Sequence, residues 1–410
     1  MFKYLNKFWT WLVYALALFP LLPRGIESIL MITFFLCSAI LYFANKKDTN
    51  CNQIINVLLL SVVFSIYIIG LLYSTNFLEA LGFIKKVLPI LGFPLIFGIF
   101  KRNTIGPKEI NKILTIYVLS LLVGLLINEI EIYKSIGHNS ISAWQYRQLF
   151  EKLTDVHGTY YSIWLSLGVI TLFMKLIREG EKMRSAIIFL ILIYFIYWQI
   201  KLGARAPLLI TFLLLFILVI TQLKAKLFLK TLFYLFISLV FFFIIKPKTI
   251  HKIKEIKNYE FSLPKGDYHI EQGKITNEQI RYGIYYCSMS LIKQNWLVGV
   301  GIGDIQDKLN YCYDHNIDSN VYKIFTFNTH NQYLHILLSS GIFGLLLFLL
   351  SLLIPVYVAL KSSNYLYLSF TILIILSLLT ENVMSRHDGV LFYSFFNSIF
   401  FFSSLEKVKK

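Results

Sequence analysis

Charged residues are scarce in this 410-residue chain: they make up 15% of it, whereas hydrophobic residues make up 57%. A soluble protein carries about a quarter charged residues, so the shortage argues against an ordinary soluble domain. The apolar residues form long continuous runs rather than an alternating pattern, and in lipid only helices or closed barrels satisfy their own backbone. The composition therefore predicts an all-α polytopic membrane protein.

The middles of the apolar runs contain almost no ionisable residues. An ion-coupled transporter usually needs charges near the bilayer midplane, and we find no pair of matching halves. Transport of a lipid-linked sugar is therefore the less favoured alternative. Paired carboxylates at a shared site are also missing, which argues against a hydrolytic glycosidase.

Signals for metal or cofactor binding are equally weak. Asp304 and Asp307 have no convincing third ligand, so we predict no metal. The glycines at 299, 301 and 303 lack the strand-turn-helix context of a dinucleotide fingerprint, and we interpret them as a turn. We predict no cofactor.

The chain has four cysteines. Cys37 lies in an apolar run and Cys51 beside a lysine-rich loop, whereas Cys287 and Cys312 share one long polar segment. Two cysteines alone define no disulfide framework, so a bond between Cys287 and Cys312 stays an open alternative.

Windows of about 20 apolar residues predict about twelve spans. They run near 8–22, 26–44, 54–73, 83–100, 112–132, 158–177, 185–200, 206–222, 231–245, 332–357, 365–383 and 389–404. Helices one to nine then occupy residues 1–245, a long loop occupies 246–331, and helices ten to twelve occupy 332–410. In the loop, Thr276 and Gln279 match a capping box and predict a helix near 277–294.

The net charge of +17 would suggest nucleic acid in a soluble protein. Here the lysines and arginines gather in alternate short loops, as the positive-inside rule requires, and they would contact anionic membrane lipids. With twelve spans, these loops and both termini are cytoplasmic. The loop at 246–331 is then periplasmic, in a bacterial inner membrane, and no nucleic-acid partner is expected.

His330 lies where the polar loop meets the next apolar run. An imidazole at this boundary can reach a lipid-attached substrate and still exchange protons with water. The plainer interpretation is a capping or interfacial histidine, because Asn328, Thr329 and Asn331 are good capping residues. His335 does not form a zinc pair with it, because five residues on a helix turn the side chains apart by about 140°.

Four of the basic residues on the predicted outer side are candidates for binding phosphate. Arg205 begins a span after Gly203 and would either meet lipid phosphate or bind a substrate phosphate through both arms of its guanidinium. Arg281 has the same phosphate interpretation, with a surface helix arginine as its alternative. Lys85 and Lys86 oppose the positive-inside trend, either as tolerated exceptions or as phosphate ligands.

Two further polar clusters fall on the same face as His330. Arg147 and His157 precede the sixth span, and a group from Glu381 to Asp388 closes the eleventh. The plain interpretation of both is helix capping and anchoring at the membrane surface.

The run His330-Asn331-Gln332-Tyr333-Leu334, followed by Gly341 and Gly344, resembles the signature of the O-antigen ligase and polymerase superfamily. The arginine at 205, the glycine-rich stretch at 296–303 and a long outer loop between the ninth and tenth spans also match. The resemblance extends from about Lys85 to the last span.

The resemblance implies an inverting, metal-independent glycosyltransferase that uses an undecaprenyl-diphosphate-linked glycan donor. Arg205, Arg281 and His330 match the functional residues of the family, and we add Lys85 and Lys86 as diphosphate ligands. Asn331, Tyr333, Arg147 and His157 are further site candidates. Ligases transfer the glycan to lipid A-core, polymerases transfer it to another lipid-linked glycan, and related members use protein hydroxyls; the residues do not separate these acceptors.

Overall fold

The computed structural model of the protein describes residues 2–45, 49, 51–100, 105–137, 141–222, 262–268 and 275–409. Within these ranges the chain is helical and has no strand; a single isolated bridge pairs Gly266 with Ser319. The all-α membrane architecture predicted from the sequence is thereby confirmed. The predicted span at 231–245 lies outside the described residues.

The described α-helices follow one another through the bundle, through the loop and back into the bundle. They are α1 (Phe2–Leu16), α2 (Arg24–Asn45), α3 (Cys51–Leu60), α4 (Val62–Leu71), α5 (Phe77–Val87), α6 (Pro89–Leu95), α7 (Pro107–Ile136), α8 (Ala143–Thr154), α9 (Gly158–Leu176), α10 (Lys182–Leu202), α11 (Arg205–Gln222), α12 (Asn277–Asn295), α13 (Ile305–Asn316), α14 (Val321–Ile324), α15 (Gln332–Lys361), α16 (Tyr365–Ser377) and α17 (His387–Lys409).

Within the described ranges, seven helical segments are long and apolar enough to cross a membrane, or eight if α3 and α4 form one span bent by 67°. The bend falls at Ser61, between the two helices. The predicted span 83–100 lies in the helical segment Phe77–Phe100. This segment is interrupted before Pro89 and ends in a π turn after Pro94. A proline removes a backbone donor and clashes with the preceding turn, which accounts for this break and for the irregular end.

Among the described spans, helix α9 is the most buried, with 83% of its most apolar stretch inside the protein. It packs against α7, α10, α11 and α16. Gln199 of α10 is fully buried and donates to Ser166 Oγ of α9 at 2.9 Å and to Thr211 Oγ1 of α11 at 3.1 Å. Hydrogen bonds of this kind help hold transmembrane helices together, because lipid tails are as apolar as the helix surfaces. Through these bonds and its packing contacts, α9 lies at the centre of this group of helices.

Helix α15 is broken at Gly341, which has φ 61° and ψ −163°. The break leaves backbone groups that lipid cannot satisfy. The glycine-rich segment 296–303 provides the partners: Val300 N donates to Leu338 O at 2.7 Å, and Ile342 N donates to Trp296 O at 2.8 Å. The long loop is thereby hydrogen-bonded directly to a spanning helix.

The same segment docks on the turn between α4 and α5. The buried carboxylate of Asp304 accepts from Thr75 N at 2.8 Å, Asn76 N at 2.7 Å and Thr75 Oγ1 at 2.8 Å. Burial acts to raise the pKa of Asp304, but these hydrogen bonds outweigh it and hold the pKa below its ordinary value.

The loop has its own helical core. Both halves of the capping box predicted at Thr276 and Gln279 are formed at the start of α12. A disulfide joins Cys287 of α12 to Cys312 of α13. The sequence alone did not decide this pairing. The bond fixes the two loop helices to each other.

Several connections meet at one end of the bundle. Arg24 forms ion pairs with Asp155 at 3.2 Å and Asp388 at 3.3 Å, and His387 pairs with Glu27 at 2.8 Å. Helix α16 ends at Ser377, well before the predicted 383, so residues 378–386 also belong to this end. The docked loop and His330 lie at the same end.

Candidate active site

His330 lies in the left-handed region of the backbone, with φ 44°. A residue other than glycine rarely adopts this conformation, and it is found at functional sites when the surrounding structure fixes it. Here the His330 N–H donates to Asn328 Oδ1 at 2.9 Å. Helix α15 begins directly afterwards, and its cap is Asn331, whose Oδ1 accepts from Tyr333 N at 2.9 Å and Leu334 N at 3.1 Å. The imidazole is therefore not the capping group.

The histidine motif is bound to the connection that follows α16. Asn331 Nδ2 donates to Leu379 O at 3.1 Å, and Gln332 N donates to Leu378 O at 2.9 Å. The hydroxyl of Thr329 lies 3.1 Å from the Asn382 side chain. Hydrogen bonds on both sides of His330 thus hold its backbone against residues 378–382.

A buried carboxylate faces the imidazole. Glu381 Oε2 lies 3.7 Å from His330 Nδ1, an ion-pair distance, and the Glu381 side chain is only 7% exposed. Burial acts to raise the pKa of Glu381, but His330, His157 and Arg386 outweigh it and hold the pKa below its ordinary value. Glu381 is therefore a carboxylate at neutral pH.

The His330 ring is buried on one side and open on the other. Nδ1 is buried and has no hydrogen-bond partner in the described part of the chain. The side chain as a whole remains 21% exposed, so its exposed part lies away from Nδ1. The ring can therefore contact a substrate through its outer edge while Glu381 faces its inner edge.

His157 and Arg147 form a neighbouring cluster. Arg147 Nη2 lies 3.2 Å from His157 Nε2 and donates to Thr159 Oγ1 at 3.2 Å, while Arg147 Nε donates to Glu151 Oε1 at 2.8 Å. Burial lowers the pKa of His157, and Arg147 adds to this effect whereas Glu151 opposes it. His157 also caps α9 through Thr159 N, so its predicted capping role is present.

Arg205 and Arg281 are both exposed. Arg205 is the first residue of α11, and Arg281 lies in the first turns of α12. Within the described ranges, neither forms an ion pair or hydrogen bond with His330 or Glu381. Both cations are therefore open to an external anion.

Lys85 and Lys86 lie in the last turn of α5 and line a groove of about 400 Å³. The rest of its wall is mostly apolar and runs along α2 and α6, from Ser28 to Leu36 and from Leu88 to Ile96. His387 also lines the groove, close to its partner Glu27. The groove thus has an apolar body and a cationic mouth.

Asn331 and Tyr333 have structural partners. Asn331 caps α15, and the Tyr333 hydroxyl donates to Ile375 O of α16 at 2.9 Å. Glu381 and Asn382, by contrast, contact the motif directly and were interpreted from the sequence only as surface anchors. Their signal was a pair of polar residues at the end of an apolar run, which many span ends share.

No group of three histidine, cysteine, aspartate or glutamate side chains in the described part of the chain could hold a metal ion.

Comparison with protein families adds an independent finding. Residues 185–349 match the model of the family described as O-antigen ligase. The matched region runs from α10 to the first part of α15 and contains Arg205, Arg281 and His330. A comparison with curated proteins gave no match. Residues 185–349 of this multi-pass membrane protein are therefore similar to the O-antigen ligase family.

Proposed function

We propose that the protein is a glycosyltransferase that moves a glycan from an undecaprenyl-diphosphate carrier to a sugar of lipid A-core, as an O-antigen ligase does. The observation that carries the proposal is His330: it belongs to the matched domain, its backbone is fixed, and one edge of its ring is exposed. A histidine held in this way can orient or deprotonate an acceptor hydroxyl.

The proposed reaction is a single inverting displacement. The acceptor oxygen attacks the anomeric carbon from the face opposite the leaving group, and the bond from that carbon to the diphosphate oxygen breaks. The electron pair stays on the diphosphate, so negative charge develops there. Arg205 and Arg281, both exposed, would stabilise that charge without a metal.

The groove at Lys85 and Lys86 suits the donor. Its apolar walls between α2 and α6 match a polyprenyl chain, and the two lysines at its mouth match the diphosphate. An apolar site with a few convergent polar groups is the usual form of a ligand pocket. We assign the donor lipid to this groove and the transfer step to His330.

The disulfide supports a periplasmic position for the loop. Disulfides form and persist in oxidising compartments and are rare in the cytosol, and Cys287 and Cys312 are both in the loop. We therefore propose that His330 acts on the periplasmic face of the inner membrane, with both termini in the cytoplasm.

A repeat-unit polymerase is the alternative within the same superfamily, because its donor chemistry is the same and only the acceptor differs. The gel pattern of lipopolysaccharide from a deletion strain tests the choice. A ligase predicts lipid A-core without attached glycan, while undecaprenyl-linked glycan accumulates. Lipid A-core carrying one repeat would instead establish the polymerase, and an unchanged pattern would contradict both.

A further inference from the structure

We infer that Glu381 is the positioning residue of His330: its carboxylate holds the imidazole with Nδ1 turned inward and Nε2 turned toward the acceptor hydroxyl. This inference rests on the proposed transfer role of His330. It assigns a function to a residue outside the matched family domain, which ends at 349.

The first support is the environment of the carboxylate. Glu381 is 5% exposed as a residue and approaches His330 Nδ1 to 3.7 Å. A buried carboxylate needs a partner, because taking a charge out of water without one is costly. In the described part of the chain no backbone N–H donates to Glu381, so a capping role does not account for it.

The second support is the fixed geometry of both partners. Asn331 and Gln332, directly after the histidine, donate to Leu379 O and Leu378 O, two and three residues before Glu381. Directly after Glu381 in the chain, Asn382 O accepts from the Tyr160 hydroxyl at 3.1 Å, and this hydrogen bond fixes the connection to α9. The two backbone segments that carry His330 and Glu381 cannot separate without breaking these bonds. The 3.7 Å separation suits an ion pair, and such contacts commonly shorten when substrate binds.

The chemistry follows from the two ring nitrogens. With Nδ1–H directed at Glu381, Nε2 has a free lone pair and accepts the proton of the acceptor hydroxyl. As the new carbon–oxygen bond forms, the proton moves to Nε2 and the diphosphate leaves with its electron pair. Glu381 stabilises the imidazolium, which then releases the proton to water. This is the orienting role that the third member of a catalytic triad has.

A second titratable group and a cation also act on the same carboxylate. His157 belongs to the start of α9, and Arg386 follows the connection after α16. The Arg386 guanidinium lies over the Tyr160 ring at 5.9 Å. Any pH experiment on Glu381 therefore needs His157 and Arg386 unchanged.

The test compares Glu381→Gln with wild type in reconstituted membranes. Glutamine keeps the shape and removes the charge, so we expect kcat to fall roughly tenfold or more, with the donor KM unchanged. In a plot of rate against pH, the acid limb of Glu381→Gln should lie at lower pH than that of wild type, because the imidazolium has lost its anionic partner. Glu129→Gln is the matched control: Glu129 pairs with Lys201 at 3.3 Å and accepts from the Tyr194 hydroxyl at 2.8 Å, and kcat should not change.

A second readout is independent of transfer. Carbethoxylation of His330, mapped by mass spectrometry across pH, follows the neutral ring directly. The pH at which His330 is half-modified should be lower in Glu381→Gln than in wild type and unchanged in Glu129→Gln. An unchanged midpoint and unchanged kcat would overturn the positioning role. If the midpoint falls but His330→Asn transfers glycan normally, the contact is real and the proposed transfer role of His330 is wrong.

Discussion

The backbone N–H of Val300 donates to the carbonyl of Leu338 at 2.7 Å. This hydrogen bond joins the glycine-rich part of the long loop to the broken helix that starts directly after His330. It explains why one sequence contains both a glycine-rich stretch and a glycine inside an apolar run. Each supplies the backbone groups that the other leaves without partners, so the loop and the histidine motif are held in one arrangement.

Gly341→Ala should disrupt this arrangement. The φ of 61° disfavours any side chain, and a Cβ at this position would collide with the carbonyl of Leu297. We expect a loss of at least about 2 kcal/mol of folding free energy, measured by thermal unfolding in detergent. Gly82→Ala is the control, because its Cβ meets nothing within 4 Å. Equal melting temperatures for the two variants would refute the proposed role of Gly341.

Asp304→Asn should destabilise the docked loop in a pH-dependent way. The folded-state pKa of Asp304 is below its unfolded value, so its contribution is fully present above the unfolded pKa and is lost as pH falls through the folded pKa. We expect a cost of about 1–3 kcal/mol at neutral pH that disappears in acid. Asp314→Asn, which removes an exposed ion pair with Lys323 at 3.8 Å, should change little. If the difference in unfolding free energy between Asp304→Asn and wild type persists unchanged in acid, the carboxylate of Asp304 does not stabilise the docked loop.

The thiols report the orientation of the chain. Cys51 is an exposed free thiol, whereas Cys287 and Cys312 are bonded. In intact spheroplasts, a membrane-impermeant maleimide should label none of the three. Asp314→Cys, at an exposed position of the loop two residues after Cys312, should react from outside, whereas Cys51 should react only after permeabilisation. Labelling of Cys51 in intact spheroplasts would reverse the proposed topology.

Replacing Lys85 and Lys86 together with glutamine should weaken donor binding. Hydrogen bonds to a charged group are worth about 1.5–3 kcal/mol, so the donor KM should rise about tenfold or more, while kcat at saturating donor stays near wild type. Steady-state kinetics in proteoliposomes measure both values. Lys293→Gln, an exposed lysine near the end of α12, is the control. If the KM values of the two variants agree, the groove at Lys85 does not hold the donor.

Local sequence patterns predicted the parts of the fold that depend on neighbouring residues. Continuous apolar runs gave α9, α10 and α11 within a few residues, and the capping box gave the start of α12. Each of these signals lies within the element it predicts. The all-α class followed from the same runs.

Long-range contacts account for what the sequence did not predict. The break at Gly341 is stabilised by residues near 300, and Glu381 reaches His330 through a turn that begins when α16 ends early. Neither pairing has a local pattern. The roles proposed for Arg205 and Arg281 come from the family resemblance, and the structure adds that both side chains are exposed.

The proposed function depends on the imidazole of His330, which would act in glycan transfer. The direct test is the rate at which purified His330→Asn joins an undecaprenyl-diphosphate-linked glycan to lipid A-core in proteoliposomes. Asparagine tolerates the left-handed backbone found at this position, so the variant should unfold at the wild-type temperature. We expect its transfer rate to fall about 10²–10⁴-fold, with donor left unconsumed. A folded variant that transfers glycan at the wild-type rate would contradict the account.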